Sequence, residues 1–464
     1  MSSLSREYSP TADESLRRLS GLFPADFNFG TATAAYQIEG AAHEDGRGES
    51  IWDRFSGTPG KTFEGHTGEV ACDHYHRYLD DIDLMSRLGV NSYRLSIAWP
   101  RILPNGTGTV NQKGLDFYNR LIDALLERSI EPYVTLHHWD LPQALEDRGG
   151  WYSRDTAEAF GEFAAIVLGA LGDRVHRWIT VNEPWVVAWI GHGEGRHAPG
   201  KADGPTGAIK AGHHLLLAHA RAVDAVRSLS PKSRVGITLD MSPVFPFTDS
   251  AEDARAATLM DATKNRWFLE PVLWAQYPTD IPAYLDLLPE GAGDDMSAIA
   301  APTDFVGVNY YSRAIVGLDP ATQMPQVKHL ENVERTGSGW EVYADGLRDL
   351  LIRLQEEYRV PSLLVTENGA AYAGGPDGSG HVRDGKRIDY LAKHLNAAAE
   401  AIDRGAKLDG YFVWSLLDNF EWASGYDDNT RFGIVHVDFD TQDRTIKDSG
   451  HWYSQLITTA RPSA

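Results

Sequence analysis

The 464-residue chain has a single cysteine, Cys72. That excludes a disulfide within the chain and leaves a cysteine-based zinc site without ligands. It fits a reducing compartment. The opening stretch, MSSLSREYSPTADESLRRLSG, has no apolar core, so no secretory leader is expected and the expected location is cytoplasmic. No run approaches the roughly 18 apolar residues of a membrane span. Positive charge is scarce, with 43 Lys and Arg against 65 Asp and Glu and a formal net charge of −22. Such a surface argues against nucleic acid and anionic membrane as partners. A glycine fingerprint is also missing, because Gly30 is followed by TATAAYQ. Low-complexity segments, 20–50-residue repeats and composition breaks are absent as well. Asn105-Gly106-Thr107 is a formal glycosylation sequon; without a leader it reads as a turn.

What is present is apolar patterning. The chain is 42% hydrophobic and 10% aromatic, ample for a large core. Residues 1–22 read as a polar tail and 23–464 as one domain. Strand signals occur at Phe23–Thr33, Ser92–Trp99, Tyr133–Trp139, Trp178–Glu183, Val235–Leu239, Phe305–Tyr311, Leu363–Glu367 and Tyr411–Leu417. Helical spacing separates them: Asp73–Leu88, Leu115–Arg128, Asp155–Leu171, Ile209–Ser228, the first half of Arg255–Ala275, Tyr343–Tyr358, Arg387–Arg404 and a last helix near Trp452–Thr459. Strands apolar on both faces and alternating with helices predict a parallel sheet. Eight such units over this length predict a closed (β/α)₈ TIM barrel rather than an open sheet.

Barrels gather chemistry at the C-terminal ends of their strands. That rule selects Gln37, His138, Asn182-Glu183, Asn309-Tyr310-Tyr311, Glu367 and Glu421-Trp422. Two apolar runs, WITV and LLVT, each end in a glutamate, Glu183 by way of Asn182 and Glu367 directly. A charge there is expensive unless paired or used. Amides and imidazole suit sugar hydroxyls, tryptophan faces suit the C–H face of a sugar ring, and two carboxyls suit glycosidic cleavage. A separation of about 5–5.5 Å would give retention and a wider gap inversion.

The chain resembles the β-glucosidases of glycoside hydrolase family 1. The likeness spans about residues 23–460 and rests on FNFGTATAAYQIEGA, YRLSIAWPRILP, LHHWDLP, ITVNEPW, HAPG, FVGVNYY, VTENG and GYFVWSLLDNFEW, in that order. The resemblance implies Glu367 as nucleophile and Glu183 as general acid, then base. It implies Arg94 and Tyr311 beside Glu367, lowering its pKa, while a negative neighbour and desolvation raise that of Glu183. Arg94 lies early in its strand and would reach up through the barrel interior. The resemblance also implies sugar contacts from Gln37, His138, Asn182, Asn309, Glu421 and Trp422, with Asn182 on the 2-hydroxyl and Trp414 beneath the ring. Trp340, in GSGWE, matches the leaving-group side, although its surroundings depart from the commoner family wording.

Relatives acting on 6-phosphorylated sugars lack the Glu421-Trp422 pair; here Glu421, Asp427 and Asp428 would repel a phosphate. Plant thioglucosidases carry glutamine where this chain has Glu183. Residues 427–430 look like a loop extension at the pocket rim.

Plainer roles compete with these. Arg94 and His138 could be structural, and Trp52, Trp139, Trp185 and Trp189 read as packing or rim. His213, His214 and His219 lie on a helix with a low-ranking metal reading. Asp438-Phe439-Asp440 lacks a calcium loop's glycine and terminal glutamate, and Cys72 reads as inert.

The expected function is a retaining exo-β-glucosidase acting on terminal glucose, including that of cellobiose, by way of a covalent glycosyl-enzyme. That would place it in carbohydrate metabolism, including cellulose degradation. The rivals are a transglycosidase and a catalytically silent sugar-binding barrel. No cofactor or metal is expected; the partner is a small β-glucoside, and a homo-oligomer is left open.

Overall fold

The computed structural model describes residues 16–322 and 324–461. Eight parallel strands close into a barrel: β1 Asn28–Ala32, β2 Ser92–Ser96, β3 Glu131–His137, β4 Arg177–Asn182, β5 Arg234–Asp240, β6 Phe305–Asn309, β7 Leu363–Asn368 and β8 Leu408–Trp414. Each pairs with its neighbours in sequence, and β1 pairs with β8 to close the ring. The predicted (β/α)₈ architecture is therefore present. Its helices include α1 His74–Leu88, α2 Gln112–Glu127, α3 Arg154–Leu171 and α4 Gly204–Leu229.

The helices form because their apolar positions share a face. In α2, Leu115, Tyr118, Leu121, Ile122 and Leu125 are all buried, each stabilising by about 1.5–3 kcal/mol on burial. The strands are buried on both faces, and this fixes a parallel sheet wrapped by helices.

Among the departures from the sequence reading, three concern packing. Phe23–Phe27 is not strand; Phe23, Phe27 and Phe29 cluster, with ring centroids 4.7–5.2 Å apart. Leu16 and Leu19 are buried in the same core, so packing begins before residue 23; residues 1–15 of the expected tail lie outside the described residues. Ala251–Trp274 is helical through both halves, with a π turn at Ala262–Arg266. Burial of Trp267, Phe268, Leu269 and Val272 there outweighs Pro271.

Two strands carry one residue too many near their C-terminal ends. β4 slips against β5 between Ile179 and Asn182, and β7 slips against β6 between Val365 and Glu367. Such bulges re-aim the side chains that follow them. Here they directly precede the two glutamates. The chain then runs past Asn368 to Gly369, where a Cβ would stand 1.7 Å from the carbonyl oxygen of Trp414. Glycine is required there by close approach to β8, not by a tight turn.

Candidate active site

Both glutamates are almost wholly buried at the C-terminal mouth of the barrel. Glu183 stands one residue beyond β4 with φ 49°, a conformation that costs a non-glycine residue about 1–3 kcal/mol. Its amide donates to the Thr238 carbonyl at 2.9 Å, and its own carbonyl accepts from Val186 at 3.0 Å. The backbone is thus held in the strained form from both sides. Trp139 and Trp422, two further residues of the pocket region, also have positive φ.

Arg94, fully buried and midway along β2, reaches through the interior as expected. One of its nitrogens donates to Glu367 Oε1 at 2.5 Å and to the Thr366 carbonyl at 3.2 Å; another donates to Asn182 Oδ1 at 2.5 Å. Tyr311 donates to Glu367 Oε2 at 2.6 Å. Asn309 donates to Glu183 Oε1 at 2.6 Å and to Asn182 Oδ1 at 3.1 Å, while Thr366 donates to its oxygen at 2.7 Å.

These bonds also fix amide and imidazole orientations. With Oδ1 taken by Arg94, the Asn182 amide nitrogen faces His138 Nε2 at 3.0 Å. That nitrogen must accept, so the His138 proton sits on Nδ1. Nδ1 is buried and has no protein partner, and the same holds for Gln37 Oε1. A donor and an acceptor are therefore left over in the pocket wall. The Gln37 amide nitrogen is engaged by Asn419 Oδ1 at 3.1 Å, the Phe420 carbonyl at 2.9 Å and Glu421 Oε2 at 3.4 Å.

Burial lifts both glutamates above the ordinary carboxylate range, and by more for Glu183. Asp240 and then Glu367 repel its charge, while Asn309 and Lys264 oppose the rise. For Glu367, Arg94, Tyr311 and Asn309 work against burial without cancelling it. Arg94 and Tyr311 lower Glu367, as expected, but desolvation outweighs them and the net direction is upward. The order of the two groups is as expected. Burial and Arg94 depress His138, which is neutral. Burial and the Glu367 charge push Glu421 up to about 8. Glu421 is thus largely protonated at neutral pH, and the expected repulsion of phosphate by its charge is corrected to a desolvation cost.

The aromatic residues form a wall and a rim. His138 lies nearly parallel to Trp414 and to Trp422, with ring centroids 5.9 Å away in each case. Trp52 and Trp139 pack on Trp422 at 4.6 and 4.4 Å. Trp340 is 41% exposed beside Tyr311 and Phe432. The 427–430 segment reaches the same rim, since the Asn429 carbonyl closely flanks Gly337. Asp428 is paired there with Arg431 at 2.7 Å.

Tyr310 does not join the site, because its hydroxyl donates to the Tyr343 carbonyl at 2.5 Å. His213, His214 and His219 face three separate partner sets: Tyr277 with Asp295, Trp151, and Thr180. No group of three metal-ligating side chains occurs among the described residues. Asp438 accepts from the amides of Asp440 and Thr441 in a hairpin turn. Cys72 is buried, with its thiol pushed well up by desolvation. No described helix is long and apolar enough to cross a membrane.

The sequence reading passes over Asp240, which the strand-end rule would have found at the end of β5. It also passes over Asn419, which holds Gln37, and Lys264, whose position on a helix gives no sequence signal.

The fold and about half of the sequence are shared with known proteins. The chain is 50% identical to β-glucosidase A of Acetivibrio thermocellus over 94% of its own length and 98% of that protein's. It is 50% identical to β-glucosidase A of Thermotoga maritima over 94% and 97%. A solved Thermotoga maritima β-glucosidase in complex with glucoimidazole superposes with a TM-score of 0.92 at 49% identity, covering 94% of this chain and 99% of that one. The profile described as Glycosyl hydrolase family 1 matches residues 19–462. With a family match that runs through every barrel strand and both buried glutamates, this chain belongs to glycosyl hydrolase family 1.

Proposed function

We propose that the protein is a retaining, exo-acting β-glucosidase that removes terminal β-linked glucose from β-glucosides and short oligosaccharides such as cellobiose. One observation carries this reading. Two buried carboxyls stand close enough to repel each other, Glu183 held by the neutral Asn309 amide and Glu367 by the Arg94 cation. The asymmetry suits one group to ionise first and the other to keep its proton.

In this reading Glu183, as the acid, gives its proton to the glycosidic oxygen as the C–O bond breaks. Glu367 attacks the anomeric carbon and forms a glycosyl ester. Ester formation consumes the Glu367 charge, one of two carboxylates that hold the proton on Glu183. The pKa of Glu183 falls, and it takes a proton from the water that cleaves the ester. The leftover Nδ1–H of His138 and Oε1 of Gln37 are the kind of donor and acceptor that sugar hydroxyls satisfy. Asn182, positioned by Arg94, takes the 2-hydroxyl. Asn309, Glu421 and Trp422 complete the sugar's contacts, Trp414 lies beneath the ring, and Trp340 stands on the leaving-group side. The names of the relatives, and the glucose-like inhibitor bound to one of them, support glucose as the sugar.

The test is the anomer first released from an aryl β-glucoside, followed by NMR. β-Glucose is expected, and α-glucose appearing first would sink the reading. Glu367→Ala should lose at least about 10⁴-fold in kcat while the fold survives, checked by circular dichroism.

A further inference from the structure

The strand-end carboxyl missed by the strand-end reading lies beside Glu183. Asp240 closes β5 in register with Asn309 of β6, whose amide holds Glu183 at 2.6 Å. The Asp240 carboxylate pairs with the Lys264 ammonium, from the π turn that follows β5. That ammonium also sits 3.6 Å from the ring centroid of Trp185, two residues beyond Glu183. Strand β5 and its following helix therefore bracket the Glu183 segment with one charge of each sign. The two side chains are only 18% and 12% exposed, so solvent screens them weakly.

The other charged or titratable groups that face Glu183 are few. Glu367 approaches from β7, with Arg94 of β2 and Tyr311 already on it. Arg94 also meets Asn182, the residue before Glu183. His138, just past β3, is neutral, and Asn309 of β6 carries no charge. Within this set Asp240 repels the Glu183 charge more strongly than Glu367 does, and Lys264 attracts it.

We propose that Asp240 and Lys264 are positioning residues that tune Glu183 from opposite sides, Asp240 holding the proton on it and Lys264 limiting that hold. The inference rests on Glu183 being the acid/base, as proposed above. A fixed carboxylate alone would favour the first step and hinder the second, in which Glu183 must release its proton. Pairing with Lys264 offsets part of that fixed field. The charge that vanishes when Glu367 is glycosylated then remains large enough to switch Glu183.

Asp240→Asn and Lys264→Met are nearly isosteric, and each changes one charge. The pH dependence of kcat/KM on an aryl β-glucoside should move in opposite directions in the two variants. Asp240→Asn removes a repelling charge, lowers the Glu183 pKa and shifts the basic limb to lower pH. Lys264→Met shifts it to higher pH. A ¹³C-carboxyl titration of Glu183 in the same proteins should follow the same two directions. Basic limbs that stay put, limbs that move together, or lost activity with an unmoved Glu183 titration would overturn the proposal and leave the pair a structural tie. Asp240→Ser and Lys264→Gln repeat the measurement if either first variant fails to fold. If the wild type cleaves no β-glucoside, the acid/base role of Glu183 falls. The carboxyl titrations would still report the coupling, which opposite shifts uphold and equal ones refute.

Discussion

Tyr311 and Glu367 are joined at 2.6 Å, phenol to Oε2, and this leaves Oε1 to Arg94. Each oxygen of the proposed nucleophile therefore accepts a hydrogen bond from the protein. Each oxygen keeps a further lone pair, so Glu367 can attack a sugar while both bonds hold its carboxylate in place. Tyr311→Phe removes a hydrogen bond to a charged group, worth about 1.5–3 kcal/mol. A fall in kcat of roughly 10- to 100-fold is expected. Steady-state kinetics on an aryl β-glucoside checks it, and an unchanged kcat would show that Arg94 alone suffices.

The pH dependence follows from the two carboxyls. Glu183 is raised further than Glu367, and each lies above the ordinary carboxylate range. In the proposed mechanism activity needs Glu183 protonated and Glu367 ionised. It therefore rises as pH climbs through the Glu367 value and falls as pH passes the Glu183 value. The acid limb of kcat/KM should lie above the ordinary glutamate value of about 4.3. An acid limb below that value would mean that Arg94 and Tyr311 overcome burial after all.

Glu183→Gln separates proton donation from positioning. The amide keeps the size of the side chain and cannot act as the acid. With a poor leaving group kcat/KM should drop about 10²–10⁴-fold. A dinitrophenyl glucoside leaves without help, so its kcat/KM should drop far less. Equal losses on both substrates would remove the acid role.

Stability of the last barrel loop depends on Asp418. Its carboxylate is fully buried, meets Lys447 at 2.7 Å and Arg431 and His436 at 3.2 Å, and is held well below the usual range by them against desolvation. Asp418→Ala leaves Lys447 buried without its carboxylate, and a loss of about 3–5 kcal/mol is expected in urea unfolding. The group's folded-state pKa is depressed. Its contribution is therefore present above about pH 3.9, the unfolded value, and is lost as pH falls toward the folded value. A flat stability profile across that acid range would contradict this.

Much of the barrel was legible because its strands are buried on both faces and its helices carry one apolar face. Leu363–Asn368 reads as strand from LLVT alone. Phe23–Phe27 misled because aromatic residues suit strands and plugs alike, and only packing separates the two. Both glutamates were legible as polar ends to apolar runs. Tyr310 was over-read: strand alternation sends it away from the pocket, between Asn309 and Tyr311. Lys264 lay beyond reach, since its meaning depends on a π turn meeting the end of a strand. The net direction for Glu367 needed the depth of burial, which no motif records.

The seam between β1 and β8 gives the site a place in time as well as in space. Gln37 follows the first strand and Glu421 the last, yet they meet at 3.4 Å. At about 5–20 residues per second, a ribosome needs roughly 20–80 s to travel from one to the other. Throughout that interval the nascent sheet has two open edges, and the pocket lacks the wall formed by Trp414, Glu421 and Trp422. The proposed catalytic pair is complete as soon as β7 is made; the site that would hold a sugar against it is among the last parts of the protein to exist.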